Sequence, residues 1–97
     1  MQLSKEHTKH LISLAHSRKP VVRVGQNGLT DNIVTELENA LVAHELVKIK
    51  LAGSDQAGRK NMIAEFESRC TCQCIQQIGH TATVFRRNTK KPVIIFP

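Results

Sequence analysis

Apolar residues return first at helical and then at strand spacing, and this alternation repeats three times along the chain. Leu11, Leu14 and Ala15 share one face if residues from Ser4 to about Ser17 or Arg18 coil as a helix. Ser4 is a capping residue and Leu3, just before it, is placed to pack as a staple. Lys5, Lys9, His7, His10 and His16 fall around the rest of that helix, and Pro20 ends it, because the residue before a proline avoids the α region. Val21–Val24 reads as a strand and Gly25–Gly28 as a tight turn. A second helix starts at Thr30, with Asp31 favourable in its first turn. Ile33, Leu37, Ala40 and Leu41 make its apolar stripe.

The pattern then switches to period two. Val47, Ile49 and Leu51 alternate with Lys48 and Lys50, so Leu46–Leu51 is a strand with one buried face and one wet, basic face. Ala52 to Asp55 is a loop ending in a cap. A third helix covers about residues 56–70, with Met62, Ile63, Phe66 and Cys70 inside, and Gly58 weakens its first turn by about 1 kcal/mol relative to alanine. Strands near Cys72–Ile78 and Ala82–Arg86 form a hairpin across Gly79-His80-Thr81. Val93–Phe96, between Pro92 and Pro97, is expected as a short edge strand. The order αβαβαββ, with that optional last strand, predicts a two-layer α/β sandwich in one domain spanning residues 1–97.

Composition narrows the chemistry. The 97 residues include no Trp, no Tyr and three Phe, so the core must be aliphatic. The net charge is +6, unevenly spread. Residues 1–30 hold five basic residues against one acid, residues 31–70 five against seven, and residues 71–97 four against none. Basic ends around an acidic middle point to a basic face that would gather polyanions, nucleic acid first among them. No apolar run is long enough to cross a bilayer, and the polar start of the chain does not read as a signal peptide, so a cytosolic protein is expected. Three cysteines, Cys70, Cys72 and Cys74, suit reduced, buried thiols better than a disulfide framework. Their spacing does not match the usual zinc patterns. The five histidines form no convincing pair with a carboxylate or a nucleophile, and no Walker loop or paired-carboxylate motif is present, so an enzyme, a metal site and a cofactor are not expected.

One motif does carry chemistry. A β-branched run, Val21-Val22-Arg23-Val24, meets Gly25-Gln26-Asn27-Gly28 and then the helix start Thr30-Asp31. Glycines allow close backbone approach, and a helix start offers free N–H groups with a partial positive charge, so the loop is a candidate phosphate seat. A plain strand-to-helix turn, in which Asn27-Gly28 simply supplies positive φ, is the alternative. Arg18, Lys19 and Arg23 flank the loop in sequence, and Arg86, Arg87, Lys90 and Lys91 follow the last strand of the hairpin. With Lys5 and Lys9 they are expected to share one face, while Lys48 and Lys50 read as solvated bystanders. Exposed aromatics for base stacking are nearly absent, which argues for contacts to the nucleic-acid backbone.

The stretch from Lys19-Pro20-Val21-Val22 through Val24-Gly25-Gln26-Asn27-Gly28-Leu29-Thr30 closely resembles the bacterial YhbY family of stand-alone CRM domains. His44 to Lys50, Gln77-Ile78-Gly79-His80-Thr81 and Val84-Phe85-Arg86 fit the same pattern, so the resemblance runs from about Leu3 to the end. It implies a fold like the C-terminal domain of a bacterial translation initiation factor, with a KH-like Gly-x-x-Gly loop at Gly25 and Gly28. It also implies RNA as partner, ribosomal RNA of the large-subunit precursor in particular, and a protein that acts in ribosome biogenesis; a monomer is expected. Many family members carry lysine between the glycines where this chain has Gln26. Protein-interaction and DNA-binding modules remain the alternatives.

Overall fold

The structure is a computed structural model that describes residues 2–53 and 55–97. Met1 and Ser54, the latter inside the expected loop after the second strand, lie outside the described residues. The elements are α1 (Lys5–Ala15), β1 (Val22–Val24), α2 (Asp31–His44), β2 (Leu46–Leu51), α3 (Gln56–Cys70), β3 (Gln73–Ile78) and β4 (Thr81–Phe85). The expected mixed α/β sandwich is the observed one.

Each helix starts where a side chain can take an orphan N–H. Ser4 accepts from His7 N, Thr30 from Ile33 N and Asp55 from Gly58 N. Helix α1 is shorter than expected: it ends at Ala15, where the chain closes in a tighter turn with Arg18 N–H donating to Ala15 O at 3.0 Å, and the Arg18 guanidinium donates to the Leu46 carbonyl at 2.8 Å. Strand β1 begins at Val22, one residue later than expected.

The four strands lie in the order β1-β2-β4-β3. Strands β1 and β2 are parallel, joined by α2, and the remaining pairs are antiparallel. Helices α2 and α3 cover one face over a core that includes Val22, Val24, Leu37, Leu41, Ile49, Leu51, Phe66 and Val84. This layer against the sheet is the predicted sandwich. Helix α1 adds partial cover on the other face, where Leu11 and Ala15 meet Leu46, Phe85 and Ile94, with Leu3 packed against the cluster.

Two features depart from the expected pattern. Strand β3 carries an irregularity between Cys74 and Gln76, so that Cys74 pairs with Val84 but Gln76 pairs with Thr83. The extra residue turns Gln76 and Ile78 to the face shared by Thr83 and Thr81. Val93–Phe96 is not a strand. The N–H groups of Val93 and Ile94 donate to the Glu45 carboxylate at 2.8 and 2.7 Å rather than to strand carbonyls, and the flanking prolines have no N–H to give. The segment instead packs along α1, with the Phe96 ring centroid 4.8 Å from His7, 5.9 Å from His10 and 5.8 Å from Phe85.

Candidate functional site

The Gly25–Gly28 loop sits at the end of the sheet where β1 and β2 finish. It closes on itself through Gly28 N–H to Gly25 O at 3.1 Å and Thr30 N–H to Gly28 O at 3.1 Å. Ala52 N–H donates to Val24 O at 2.9 Å and ties the β2–α3 loop beside it. Gly25, Gln26 and Asn27 are exposed. A Cβ built on Gly25 or Gly28 would meet nothing within 4 Å, so the loop is uncovered by the rest of the chain.

The two glycines differ in one respect. Gly28 has φ +68°, a conformation that disfavours side chains. Gly25 is not in that region. The plain-turn explanation thus accounts for Gly28 but not for Gly25.

A residue not anticipated from the sequence braces the loop exit. Arg69, in the last turn of α3, donates to Leu29 O at 3.4 Å, pairs with Asp31 at 3.2 Å and pairs with Glu65 at 3.3 Å. Asp31 would otherwise place an unpaired negative charge at the start of α2, beside the loop. Only the packing of α3 on α2 brings Arg69 there, and no local sequence signal announces it.

The predicted cations separate into two groups. Arg23 is exposed, two residues before Gly25, and its side chain faces away from the α2–α3 layer because Val22 and Val24 are buried beneath it. Lys19 is exposed ahead of β1, and Arg18 is tied to Leu46 O. Lys5 and Lys9 are exposed on the α1 flank that continues through Ile12 to His16, with spacing i, i+4, i+7 and i+11. His16 in turn lines a groove with Lys48, Gln76, Ile78, Thr81 and Thr83. Arg23 and this groove share one face of the sheet, and Lys5 and Lys9 share the flank of α1 that leads to it.

Arg86, Arg87, Lys90 and Lys91 do not join them. Strand β4 runs antiparallel to β2 and ends opposite Leu46, five residues from Leu51, so its end lies about 17 Å from the loop end. The two arginines are also occupied. Arg86 Nη1 lies 2.8 Å from Glu38 Oε1 and 2.8 Å from Cys70 O, on the α2–α3 side. Arg87 donates to Ile94 O at 2.7 Å, pairs with Glu45 at 3.3 Å and lies 5.1 Å from the Phe96 ring centroid. Lys90 and Lys91 are exposed at that same far end. The single face expected to hold all of these cations does not form.

Lys48 and Lys50, bystanders by the sequence alone, are the residues that β1 brings next to Arg23. The parallel register pairs Arg23 with Lys50. Lys48, two residues earlier on the same face, donates to Arg18 O at 3.2 Å. The alternation in β2 makes both visible in the sequence, but only the pairing of β1 with β2 places them.

The cysteines pack. Cys70 and Cys72 are buried in the α2–α3 core and Cys74 is packed against it. Burial pushes the Cys72 thiol up to about 12 and raises those of Cys70 and Cys74, so none is poised as a thiolate at neutral pH. Among the described residues, no three His, Cys, Asp or Glu side chains gather as a metal site, and no helix is long and apolar enough to cross a membrane.

Comparison with known proteins fits this architecture. A solved Staphylococcus aureus structure, described as that of a candidate RNA-binding protein, superposes with a TM-score of 0.82 over 99% of this chain and all of its own, at 22% identity, and so shares the fold. A Pseudomonas aeruginosa protein named as a probable RNA-binding protein is 40% identical over 90 residues, covering 93% of this chain and 86% of its own. A Haemophilus influenzae protein named as RNA-binding is 39% identical over 84 residues, covering 87% and 85%. The CRS1/YhbY (CRM) domain profile matches residues 3–86, and the chain belongs to that family.

Proposed function

We propose that this chain is a non-enzymatic RNA-binding protein that seats the sugar-phosphate backbone of its RNA on the Gly25–Gly28 loop. Gln26 and Asn27 donate hydrogen bonds to phosphate or sugar oxygens, the start of α2 supplies its partial positive charge, and Arg23, two residues before Gly25, provides an exposed cation. Its RNA is ribosomal RNA of the large-subunit precursor, and it acts as a monomer in the cytosol. The names of the relatives support the RNA part of this reading. The ribosomal part rests on the family resemblance.

The observation that carries the reading is Gly25. Its φ lies outside the left-handed region that favours glycine, and a Cβ there would meet nothing within 4 Å beyond its chain neighbours. The fold therefore gives no reason for glycine at this position, whereas a ligand backbone lying against the loop does. Gly25→Asp is expected to leave the urea unfolding midpoint unchanged. It is expected to raise the dissociation constant for a fluorescein-labelled RNA hairpin with a single-stranded tail about tenfold or more, equivalent to about 1.4 kcal/mol. Unchanged affinity in the folded variant removes the loop from the interface. Crosslinking in cells, followed by sequencing of the attached RNA, tests the finer assignment, and recovery of RNA unrelated to the large subunit overturns it.

A further inference from the structure

Helix α1 covers the Leu46 and Phe85 end of its sheet face and leaves the other end open. What lies there has an unusual charge pattern. Arg23 and Lys50 are direct neighbours in the β1–β2 register, and Lys48 stands two residues from Lys50 on the same face. Like charges directly opposite each other on a sheet are destabilising, and a protein normally relieves them with a nearby acid. Among the described residues none lies within ion-pair distance of these three cations. Of the eight acids, Asp31, Glu36, Glu38, Glu65 and Glu67 belong to α2 and α3, Asp55 caps α3, Glu45 is buried and Glu6 is in the first turn of α1. Among the described residues, every ion pair uses Arg69, Arg86 or Arg87, and none involves Arg23, Lys48 or Lys50.

We propose that this open half of the sheet is a second RNA-contacting surface, a phosphate track of Arg23, Lys50 and Lys48 that continues from the Gly25–Gly28 loop. The proposal rests on the reading that the chain binds RNA and assigns a surface which that reading does not require. Its geometry suits a sugar-phosphate strand. Same-face residues along a strand are about 6.6 Å apart and adjacent strands about 4.8 Å apart, spacings comparable with successive phosphates. Arg23 lies two residues from the loop, so one RNA strand can pass from the glycines onto the cations without a gap.

The neighbours of the track fit a partner recognised by its backbone. The irregularity in β3 brings Gln76 opposite Thr83 and Ile78 opposite Thr81, and these line the groove with Lys48 and His16. Amide and hydroxyl groups can bond phosphates and 2′-hydroxyls. No Phe lines this groove, since Phe66 and Phe85 are buried and Phe96 packs on α1, and the His16 imidazole is the one ring among its lining residues. The track holds RNA without reading its sequence.

The test is the salt dependence of binding to the same labelled RNA hairpin, titrated between about 50 and 200 mM salt. Lys48→Gln with Lys50→Gln is expected to lower the slope of log affinity against log salt by about 0.7–0.9 for each phosphate left without its lysine, and to weaken binding to hairpins of different sequence alike. Lys90→Gln with Lys91→Gln, at the far end, is expected to leave the slope unchanged. Should removal of the Lys48 bond to Arg18 O disturb folding, Arg23→Gln with Lys50→Gln gives the same measurement without it. If wild-type protein fails to bind the hairpin, the RNA reading itself is overturned. If wild type binds and Gly25→Asp weakens it, but the track variants keep the full slope, the track alone is overturned. A slope lowered equally by the Lys90 and Lys91 changes also overturns it.

Discussion

Glu45 is the residue on which the end of the molecule far from the glycine loop is organised. It closes α2 with φ 62°, a conformation costly for a residue with a side chain, and it is fully buried. Its N–H donates to Leu41 O and its carbonyl accepts from Arg86 N, each at 2.9 Å. Its carboxylate accepts from the N–H groups of Asn88 at 2.6 Å, Val93 at 2.8 Å and Ile94 at 2.7 Å, and from Arg87. Burial alone would raise its pKa. The hydrogen bonds from Ile94, Asn88 and Val93, with the charge of Arg87, outweigh that and hold it below the ordinary 4.5. On acidification the unfolded chain therefore takes up this proton first. Glu45 contributes its full stability above about pH 4.5 and loses it as the pH falls through the lower folded-state value. Glu45→Gln should lose about 3 kcal/mol at neutral pH, because donors that met a charge now meet an amide and Arg87 loses its counter-ion. The variant should also lose less further stability than wild type as urea melts are taken below pH 4.5. Parallel acid dependence in the two proteins would show that Glu45 does not carry this linkage.

At the scale of elements, the sequence is most legible where local chemistry decides. Thr30 and Asp55 cap α2 and α3 as their side chains suggest, and the stripe of Leu37 and Leu41 and the face of Ile63, Phe66 and Cys70 are buried. The glycine loop is legible because its two glycines bound a four-residue turn between a strand and a cap. What stays hidden depends on pairing between distant segments. Lys50 gains its meaning only from Arg23, twenty-seven residues earlier, and Arg69 only from α3 docking on α2. In the sequence Glu45 looks like any acid ending an amphipathic helix, so the tail it captures reads as a strand. Arg86 and Arg87 look like free cations because Glu38 and Glu45 precede them by more than forty residues. Their role as connectors makes a prediction about elements. Arg86→Ala with Arg87→Ala frees the Cys70 and Ile94 carbonyls and two carboxylates, and should cost about 2 kcal/mol or more of unfolding free energy. The salt slope of RNA binding, measured on the folded fraction, should stay at the wild-type value. A flattened slope with intact stability would reverse this assignment and return both arginines to the interface.

At the scale of the whole molecule, the sheet separates charge. Helices α2 and α3 hold five acids against three bases, Arg59, Lys60 and Arg69, while Arg23, Lys48 and Lys50 face the other way. A polyanion approaching the sheet is drawn by the near cations and repelled by the acids behind them, and salt decides how far that repulsion reaches. The molecule is 22 Å across its shortest axis. The screening length is about 30 Å at 0.01 M salt, longer than that axis, and about 8 Å at 0.15 M, much shorter. An exposed acid on the far layer should therefore slow RNA capture in dilute salt and have no influence at physiological salt. Glu36 is such a residue, exposed on α2 and outside every ion pair among the described residues. Glu36→Lys should raise the stopped-flow association rate for the labelled hairpin at about 0.01 M salt, leave the dissociation rate unchanged, and lose its advantage at about 0.15 M. If the gain persists at the higher salt, the new lysine is touching RNA and the α2 face is part of the interface. If no gain appears at low salt, the separation of charge across the sheet does not steer capture.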